Sequence, residues 1–496
     1  MDREGSVNQM FQRRAEEVQE QGFGLSVDVY SPNLFELMSR FDRAPIRPAY
    51  LEIFRAATRA LETVTRRLSG TSFAYHGEGL WITQPDFASA PHMHGELDDV
   101  ISQLQILKSP WLNHECATKQ MAGYSFGTYL PPLYTAESAK VVAESIEIVQ
   151  AKMDERRWSG KQFGPLFLLE MPPLTYFMAG TLAVPSYFRL VTDLTPCGLV
   201  LDIGHLWTVY RYSAAHRHMA LEDFVEQFLA QFPLERVLEI HVAGLAPHEA
   251  AVSHRRSEQE YPEWIDAHVA PIPDLSWTVL EQVLAHPRLR NLRGIALEVD
   301  TKPIELIVNE FVDAHRRFSP AIERCVSRRL PAPERVHSTD EGVNAPAASD
   351  NDRKQLLAEY EEYAQIVSGR HPPSGPNWQV VAADMAGLRR YIDDYLPHEI
   401  LHWGGDITDM FPETCRRLKE TGISLNQFVT WWFHRSRPVD QPYDFFLLKI
   451  DRVIEFVSER APFVLPVTRK EADALRSAYT DANTHADLET LAESRR

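Results

Sequence analysis

Eight short apolar runs, separated by segments of helical periodicity, fill the first two-thirds of this chain and constrain its fold more than any other feature. They are Gly22–Val29, Tyr50–Phe54, Ser72–His76, Pro110–His114, Leu166–Glu170, Gly198–Asp202, Val237–His241 and Gly294–Glu298. Continuous apolar runs of this length, bounded by turn residues, suit strands buried on both faces. Pro110 is tolerable only as the first residue of its strand, because proline brings no N–H to the ladder. Helical patterns lie between the runs, clearest at Ala136–Arg156 and Leu221–Phe232, and Ile304–Phe318 follows the last of them. Strand–helix alternation builds right-handed βαβ units and a parallel sheet. Eight such units predict an α/β protein whose residues 1–329 close into a (β/α)8 TIM-type barrel.

The alternation stops at residues 330–352, a polar stretch rich in Pro and Ala that reads as a linker. Beyond it Arg353–Ser368, Ala382–Leu396, Pro412–Thr421 and Phe445–Ala461 carry helical patterns. Residues 353–469 are therefore expected to form a smaller, mostly α-helical C-terminal domain, with 470–496 as a polar tail. Cys116, Cys197, Cys325 and Cys415 are far apart and in no CxxC pair, which excludes a disulfide scaffold or a zinc ribbon and fits a reducing compartment. None lies in an activating motif, so they read as inert thiols. Lys+Arg total 51 against 69 for Asp+Glu, a formal charge of −18 that disfavours a general nucleic-acid binder. Met1–Gly22 is charged and has no apolar core, and no run of 18 apolar residues occurs. The expectation is a cytoplasmic protein with no membrane partner.

Barrels of this type carry their chemistry at the C-terminal ends of the strands. Here those ends, with the loop before the eighth run, supply His76, His114, Glu170, Asp202, His205, His241, Asp266, His268 and Glu298. A single histidine at a strand end is ordinarily a hydrogen-bonded structural residue. Five histidines and four carboxylates converging on one mouth are more titratable surface than a pocket tolerates without a cation. Imidazoles and carboxylates without thiolate suit iron, manganese or zinc. Nine ligands exceed the needs of one ion, so two or three metals are expected, with a carboxylate such as Glu170 able to bridge a pair.

Those residues lie in segments that resemble the multinuclear non-haem iron-dependent oxidative enzymes, the family that includes the methanobactin biosynthesis oxidase. Gly22-Phe-Gly-Leu-Ser26 resembles its first strand and His76-Gly-Glu-Gly-Leu80 its His-Gly-x-Gly-Leu segment. His114, followed by Tyr129-Leu-Pro-Pro-Leu-Tyr-Thr135, resembles Ser-x-His and the Leu-Pro-x-Pro-Tyr after it. Leu168-Leu-Glu170, Leu199-Val-Leu-Asp-Ile-Gly-His205, Glu239-Ile-His-Val-Ala-Gly244, Asp266-Ala-His268 and Leu297-Glu-Val-Asp300 resemble the remaining motifs, in order. Met171 and His205 each stand where the family often has Asn, and Leu245 and Val269 replace a His and a Gly.

The resemblance implies two or three iron ions, Fe(II) and Fe(III), with O2 as co-substrate. It implies that Glu170 bridges two irons, completed by His76 and His114 on one side and by Asp202, His241 and Glu298 on the other. His205, Asp266 and His268 would hold a third metal, and Glu170, Asp202 and His241 would be central to catalysis. The implied reaction is oxidation of a side chain, Cys or else Asp or Asn, in a ribosomally synthesised precursor peptide. Family enzymes commonly use a partner protein that presents the leader peptide, and the C-terminal domain could stand in its place. Deleting Arg353–Arg496 is then expected to abolish peptide binding and leave metal content intact.

The same donors would also serve a hydrolase or sugar isomerase working through two divalent ions and a metal-bound hydroxide, or a metal-storing scaffold. Metal identity and O2 uptake separate these readings. His398-Glu-Ile-Leu-His402 has the HExxH form of a zinc protease, but Pro397 before it and Gly404-Gly405 after it predict too short a helix. Phe428-Val-Thr-Trp-Trp-Phe-His434 reads as a buried helix, or as an aromatic docking surface. Arg255-Arg256 could grip a substrate carboxylate but reads as an exposed basic pair.

Overall fold

The computed structural model describes residues 3–156, 160–247, 264–299, 301–327, 348–372, 385–439 and 443–484. Arg255-Arg256, Asp300, residues 330–347 of the expected linker and residues 485–496 of the expected tail lie outside them. Counted along the chain, the strands are β1 Gly22–Val27, β2 Tyr50–Phe54, β3 Ser72–Gly77, β4 Trp111–Glu115, β5 Thr118–Met121 and β6 Tyr124–Leu130. They continue with β7 Leu166–Glu170, β8 Gly198–Asp202, β9 Val237–Val242, β10 Leu245–Pro247, β11 Trp264–Asp266 and β12 Gly294–Glu298. Eight of them close into a barrel in the order β1-β12-β9-β8-β7-β4-β3-β2, every pairing parallel. These are the eight runs read from the sequence, with small shifts at the ends. β1 stops at Val27 because the Asp28 carboxylate accepts the N–H groups of Tyr30 and Ser31 and turns the chain. Pro110 stays outside β4, where its carbonyl accepts Leu166 N–H at 3.1 Å.

Two features the sequence did not announce determine which end of the barrel is open. A helix at Arg3–Glu17 closes the N-terminal end, where Phe11, Ala15 and Val18 join a buried cluster with Tyr50, Trp111 and Leu238. Arg293 ties that helix down by donating to the carbonyls of Ala15 and Val18 at 2.8 and 3.0 Å. At the opposite end two antiparallel ribbons, β5–β6 and β10–β11, are inserted after β4 and β9.

The C-terminal region is helical and is not a separately packed body. Its helices are Asp350–Val367, Met385–Arg390 continuing through a π-helical turn into Leu396–His402, Ile407–Met410, Pro412–Glu420, Leu425–Trp432, Phe445–Arg460 and Leu465–Thr484. The first begins inside the expected linker, because Ser349 and Asp352 form a capping box. The last runs through much of the expected polar tail: Thr468 is buried against Thr414, and Glu471 accepts the N–H groups of Glu413 and Thr414 at 2.8 and 3.2 Å. Polar residues read as tail thus cap a neighbouring helix.

One hydrophobic core runs from the barrel helices into this module. Phe126 of β6 packs on Phe433 with ring centroids 5.5 Å apart, Phe177 packs on Tyr391 at 5.1 Å, and Trp432 Nε1 donates to Ser125 O at 2.8 Å. Gly127 has φ +78°, and a Cβ there would lie 2.8 Å from the Phe445 ring, so the ribbon needs glycine at the contact. The aromatic segment Phe428–His434 is therefore core, as its first reading held: Phe428, Trp431, Trp432 and Phe433 are buried. Among the described residues no helix is long and apolar enough to cross a membrane.

The shared core alters what truncation should do. Removing residues 348–496 is expected to yield aggregated barrel rather than a folded, metal-binding fragment, as judged by size-exclusion chromatography. In the full chain Trp432→Ala should cost about 3–5 kcal/mol of unfolding free energy in a denaturant titration, the range for a large buried aromatic.

Candidate metal centre

Each side chain of the centre is delivered by a strand end or by the turn just beyond it. Asp202 is both the last residue of β8 and the cap of helix Ile203–Tyr212, where its Oδ1 accepts His205 N–H at 2.6 Å. That first helical turn brings His205 back over the mouth. Parallel register sets Asp202 beside His241, Glu170 beside Glu115, and Ser26 between Glu298 and Glu52. The β10–β11 ribbon pairs Leu245 with Asp266, which carries Asp266 and His268 to the open side.

The structure brings most of the expected residues together in two groups. Donor atoms of His76, Glu170, His241 and Glu298 lie within 4.8 Å of one another, and so do those of Glu170, Asp202, His205 and Glu298. Glu170 and Glu298 belong to both. Glu170 Oε2 is 3.2 Å from His76 Nε2, and its Oε1 is 3.3 Å from His241 Nδ1 and 3.7 Å from His205 Nδ1. Glu298 Oε1 is 3.1 Å from His241 Nδ1, and its Oε2 is 3.2 Å from His268 Nε2. His268 Nε2 also stands 3.0 Å from Asp266 Oδ2, which is 3.5 Å from His205 Nε2.

His114 is the exception. Its Nε2 accepts Leu80 N–H at 3.1 Å and its Nδ1 donates to Glu115 O at 2.8 Å, so both nitrogens are engaged locally. The sequence reading also passed over four polar residues of the site. Asn113 donates to Glu170 Oε2 at 2.8 Å. Glu115 is a half-buried carboxylate on β4, and Glu52 and Glu239 are buried ones on β2 and β9. A signal was present for the last two: each is a charge inside an apolar run, two residues from Tyr50 or His241, and the period of two puts such pairs on one face.

Side-chain charge in this space is nearly all compensated by proton sharing. Burial alone would raise the Glu170 pKa, but His241 and His76 overcome it and hold the carboxyl well below its usual range. Burial likewise opposes a charged imidazole at His76, yet Glu170, Glu52 and Glu298 lift it to about 9. His205 and His241 rise well above their usual value against burial, through Asp202 with Asp266 and through Glu170 with Glu52 respectively. Burial pushes Asp202 and Glu115 up to about 7, and Glu239 to about 8.

Several of these buried atoms have no hydrogen-bond partner among the described residues: Glu170 Oε1, Asp202 Oδ2, His205 Nε2, His241 Nδ1, Asp266 Oδ1 and Glu298 Oε2. Buried polar atoms are ordinarily satisfied. Here the unsatisfied ones gather at the two groups above and beside them, where Glu115 Oε2, Glu239 Oε2 and His241 Nε2 are also without partners, as a metal centre would leave them. His205 is already turned for the role, because its Nδ1 donates to Met171 O at 2.6 Å and leaves Nε2 toward the carboxylates. The clusters could therefore bind metal ions. The HExxH segment does not resemble them: Glu399 meets His398 Nδ1 at 3.1 Å, and His402 Nδ1 meets Asp406 at 2.5 Å, so the motif's side chains pair with one another or with a near neighbour.

The family model described as RiPP precursor modification enzyme MbnB/TglH/ChrH matches residues 22–317. A UPF0276 protein of Paraburkholderia phytofirmans is 28% identical over 210 residues, 42% of this chain and 59% of the relative. Another, from Rhizobium meliloti, is 29% identical over 164 residues, 32% of this chain and 44% of the relative. The chain thus spans roughly half the length of these curated relatives. Among solved structures, endonuclease IV from Thermus thermophilus has 16% identity and a TM-score of 0.34, over 61% of this chain and 99% of that one. D-psicose 3-epimerase from Clostridium cellulolyticum has 11% identity and a TM-score of 0.33, over 62% and 100%. Such distant likenesses carry no chemistry.

The proton inventory fixes a sign for pH. His76, Glu239, Asp202 and Glu115 keep protons in the folded, metal-free protein at pH values where the unfolded chain has released them. Metal-free stability should therefore fall as pH rises from about 4.5 to about 9. We expect a lower thermal midpoint at about pH 9 than at about pH 6, with added divalent metal releasing protons and flattening the slope. A metal-free midpoint that climbs over that interval would contradict the assignment.

Proposed function

The chain belongs to the MbnB/TglH/ChrH family of RiPP precursor modification enzymes, and from that premise we propose that it catalyses an iron- and O2-dependent oxidation of a side chain, Cys or else Asp or Asn, in a ribosomally made precursor peptide. The observation that carries this reading is the pair of donor groups sharing Glu170 and Glu298 at the open end of the barrel. Two ions side by side need bridging carboxylates and a mixed imidazole–carboxylate set, and this set suits iron. Bound iron supplies the one-electron chemistry that couples O2 to oxidation of a side chain, which none of these residues can do unaided.

The chain's own residues hold and orient. Glu170 and Glu298, common to both donor groups, would be shared between two ions, with His76 and His241 holding one and Asp202 and His205 the other. Asn113 steadies the bridge through Glu170 Oε2. Asp266 and His268, 19% and 20% exposed, sit at the rim, where a third ion or the arriving peptide meets them first. His114 joins the set only by giving up its bond to Leu80.

The peptide enters across a wall that the helical module helps to build. Lys119 Nζ lies 3.6 Å from Glu78, two residues beyond His76, and stands over the rings of Tyr129 and Trp403 at 4.3 and 6.0 Å. Trp403, from the module, is 52% exposed. In this reading the module receives the peptide at the rim, in place of a leader-binding partner protein or beside one.

Anaerobic purification with iron, metal analysis and an oxygen electrode test the reading. The wild-type protein should hold two or three irons, and co-expression with a short peptide encoded beside its gene should give an O2-dependent mass change. Glu170→Ala should lose most of the iron and all of the mass change while remaining folded. Zinc or manganese as the bound metal, with no O2 consumed, would overturn the proposal in favour of hydrolysis or isomerisation.

A further inference from the structure

Below the donor groups the barrel interior holds a second buried layer that the metal reading leaves unexplained. Glu52, Glu239 and His241 converge there, their donor atoms within 4.8 Å of one another. His241 belongs to both layers. Its Nδ1 faces Glu170 and Glu298 at 3.3 and 3.1 Å, and its Nε2 faces Glu52 Oε2 at 2.9 Å and Glu239 Oε2 at 3.6 Å.

The lower layer could itself hold a cation, but three of its four carboxylate oxygens are already supplied with protein donors, leaving Glu239 Oε2 and, 2.9 Å from Glu52, His241 Nε2 without a hydrogen bond among the described residues. Ser26 Oγ donates to Glu52 Oε2 at 2.9 Å, Trp111 Nε1 donates to Glu52 Oε1 at 3.3 Å, and Tyr50 Oη donates to Glu239 Oε1 at 2.5 Å. Donor hydrogens aimed at both carboxylates repel a cation and suit an anion that accepts from several sides. Register explains the arrangement: Ser26 and Glu52 are neighbours across β1 and β2, and Tyr50 and Glu52 share one face of β2. In the upper layer one oxygen each of Glu170, Asp202 and Glu298 lacks a donor, while Asn113 and the His205 N–H serve the other oxygens of Glu170 and Asp202.

We propose that Glu52, anchored by Ser26 and Trp111, is a positioning residue: it holds the Nε2–H of His241 and so presents the Nδ1 lone pair to the metal. The inference rests on the metal reading of the upper groups. In a neutral imidazole only one nitrogen carries the proton, and the group that accepts it fixes both the tautomer and the ring plane. A carboxylate in that place also makes the imidazole a stronger ligand. His241 is thus the hinge between a proton-rich layer and a proton-poor one, and the metal reaches it through Nδ1.

Anaerobic titration of the full-length, metal-free protein with Fe(II), and in parallel with Co(II) read by its visible absorption, tests this. Glu52→Gln keeps an acceptor oxygen for His241 and should bind the same number of ions about 10-fold more weakly, with the cobalt spectrum preserved. Glu52→Ala, confirmed folded by circular dichroism, should bind about 100-fold more weakly at the position containing His241 and shift the cobalt bands. If the alanine variant does not fold, the glutamine variant carries the test alone. Wild-type affinity in Glu52→Gln and in any folded Glu52→Ala overturns the positioning role. Complete loss of an ion in Glu52→Gln overturns it too, since Glu52 would then be a ligand. A wild-type protein that binds neither metal sinks the metal reading itself, and this inference with it.

Discussion

Acidic side chains packed into a barrel interior repel one another, and the architecture of this protein follows from meeting that constraint. Glu52, Glu170, Asp202, Glu239 and Glu298 are held out of bulk water at one end of a single parallel barrel. At the effective dielectric of a protein interior, two like charges about 4 Å apart interact by several kcal/mol. The molecule lowers that cost in layers. Deepest, hydroxyl and indole hydrogens are aimed at Glu52 and Glu239. Above them imidazoles share protons with Glu170, Glu298 and Asp266. Most of the carboxylate oxygens lacking donors are in this upper layer, which a polyvalent cation could satisfy.

The apolar parts of the fold make that arrangement possible. The Arg3–Glu17 helix plugs the far end, so water reaches the carboxylates from one side. The strands that carry them are otherwise mostly apolar and buried on both faces, which closes the barrel around the polar residues. The helical module belongs to the same device. By gripping β6 through Gly127, Ser125 and Phe126 it holds a ribbon at the rim of the mouth, and it adds Trp403 beside Lys119. The placement of the rim and global stability are therefore coupled, whereas a flexibly tethered domain would have kept them apart.

The sequence by itself determined the eight-stranded barrel, since strands buried on both faces must be continuously apolar and such runs stand out between amphipathic helices. It also determined that His76, Glu170, Asp202, His205, His241, Asp266, His268 and Glu298 fall at or just beyond strand ends at one mouth. Three things were decided only by tertiary structure. Polar residues read as linker and tail became helix, because Ser349 and Glu471 found backbone N–H groups to accept. His114 turned to Leu80, and the unannounced Asn113 reached Glu170. Glu52 and Glu239 met His241 across the barrel, which selected the nitrogen it offers. The physical reason is common to all three: hydrophobic periodicity is local and survives in one dimension, whereas the partner of a hydrogen bond or an ion pair is chosen by distance in the folded chain.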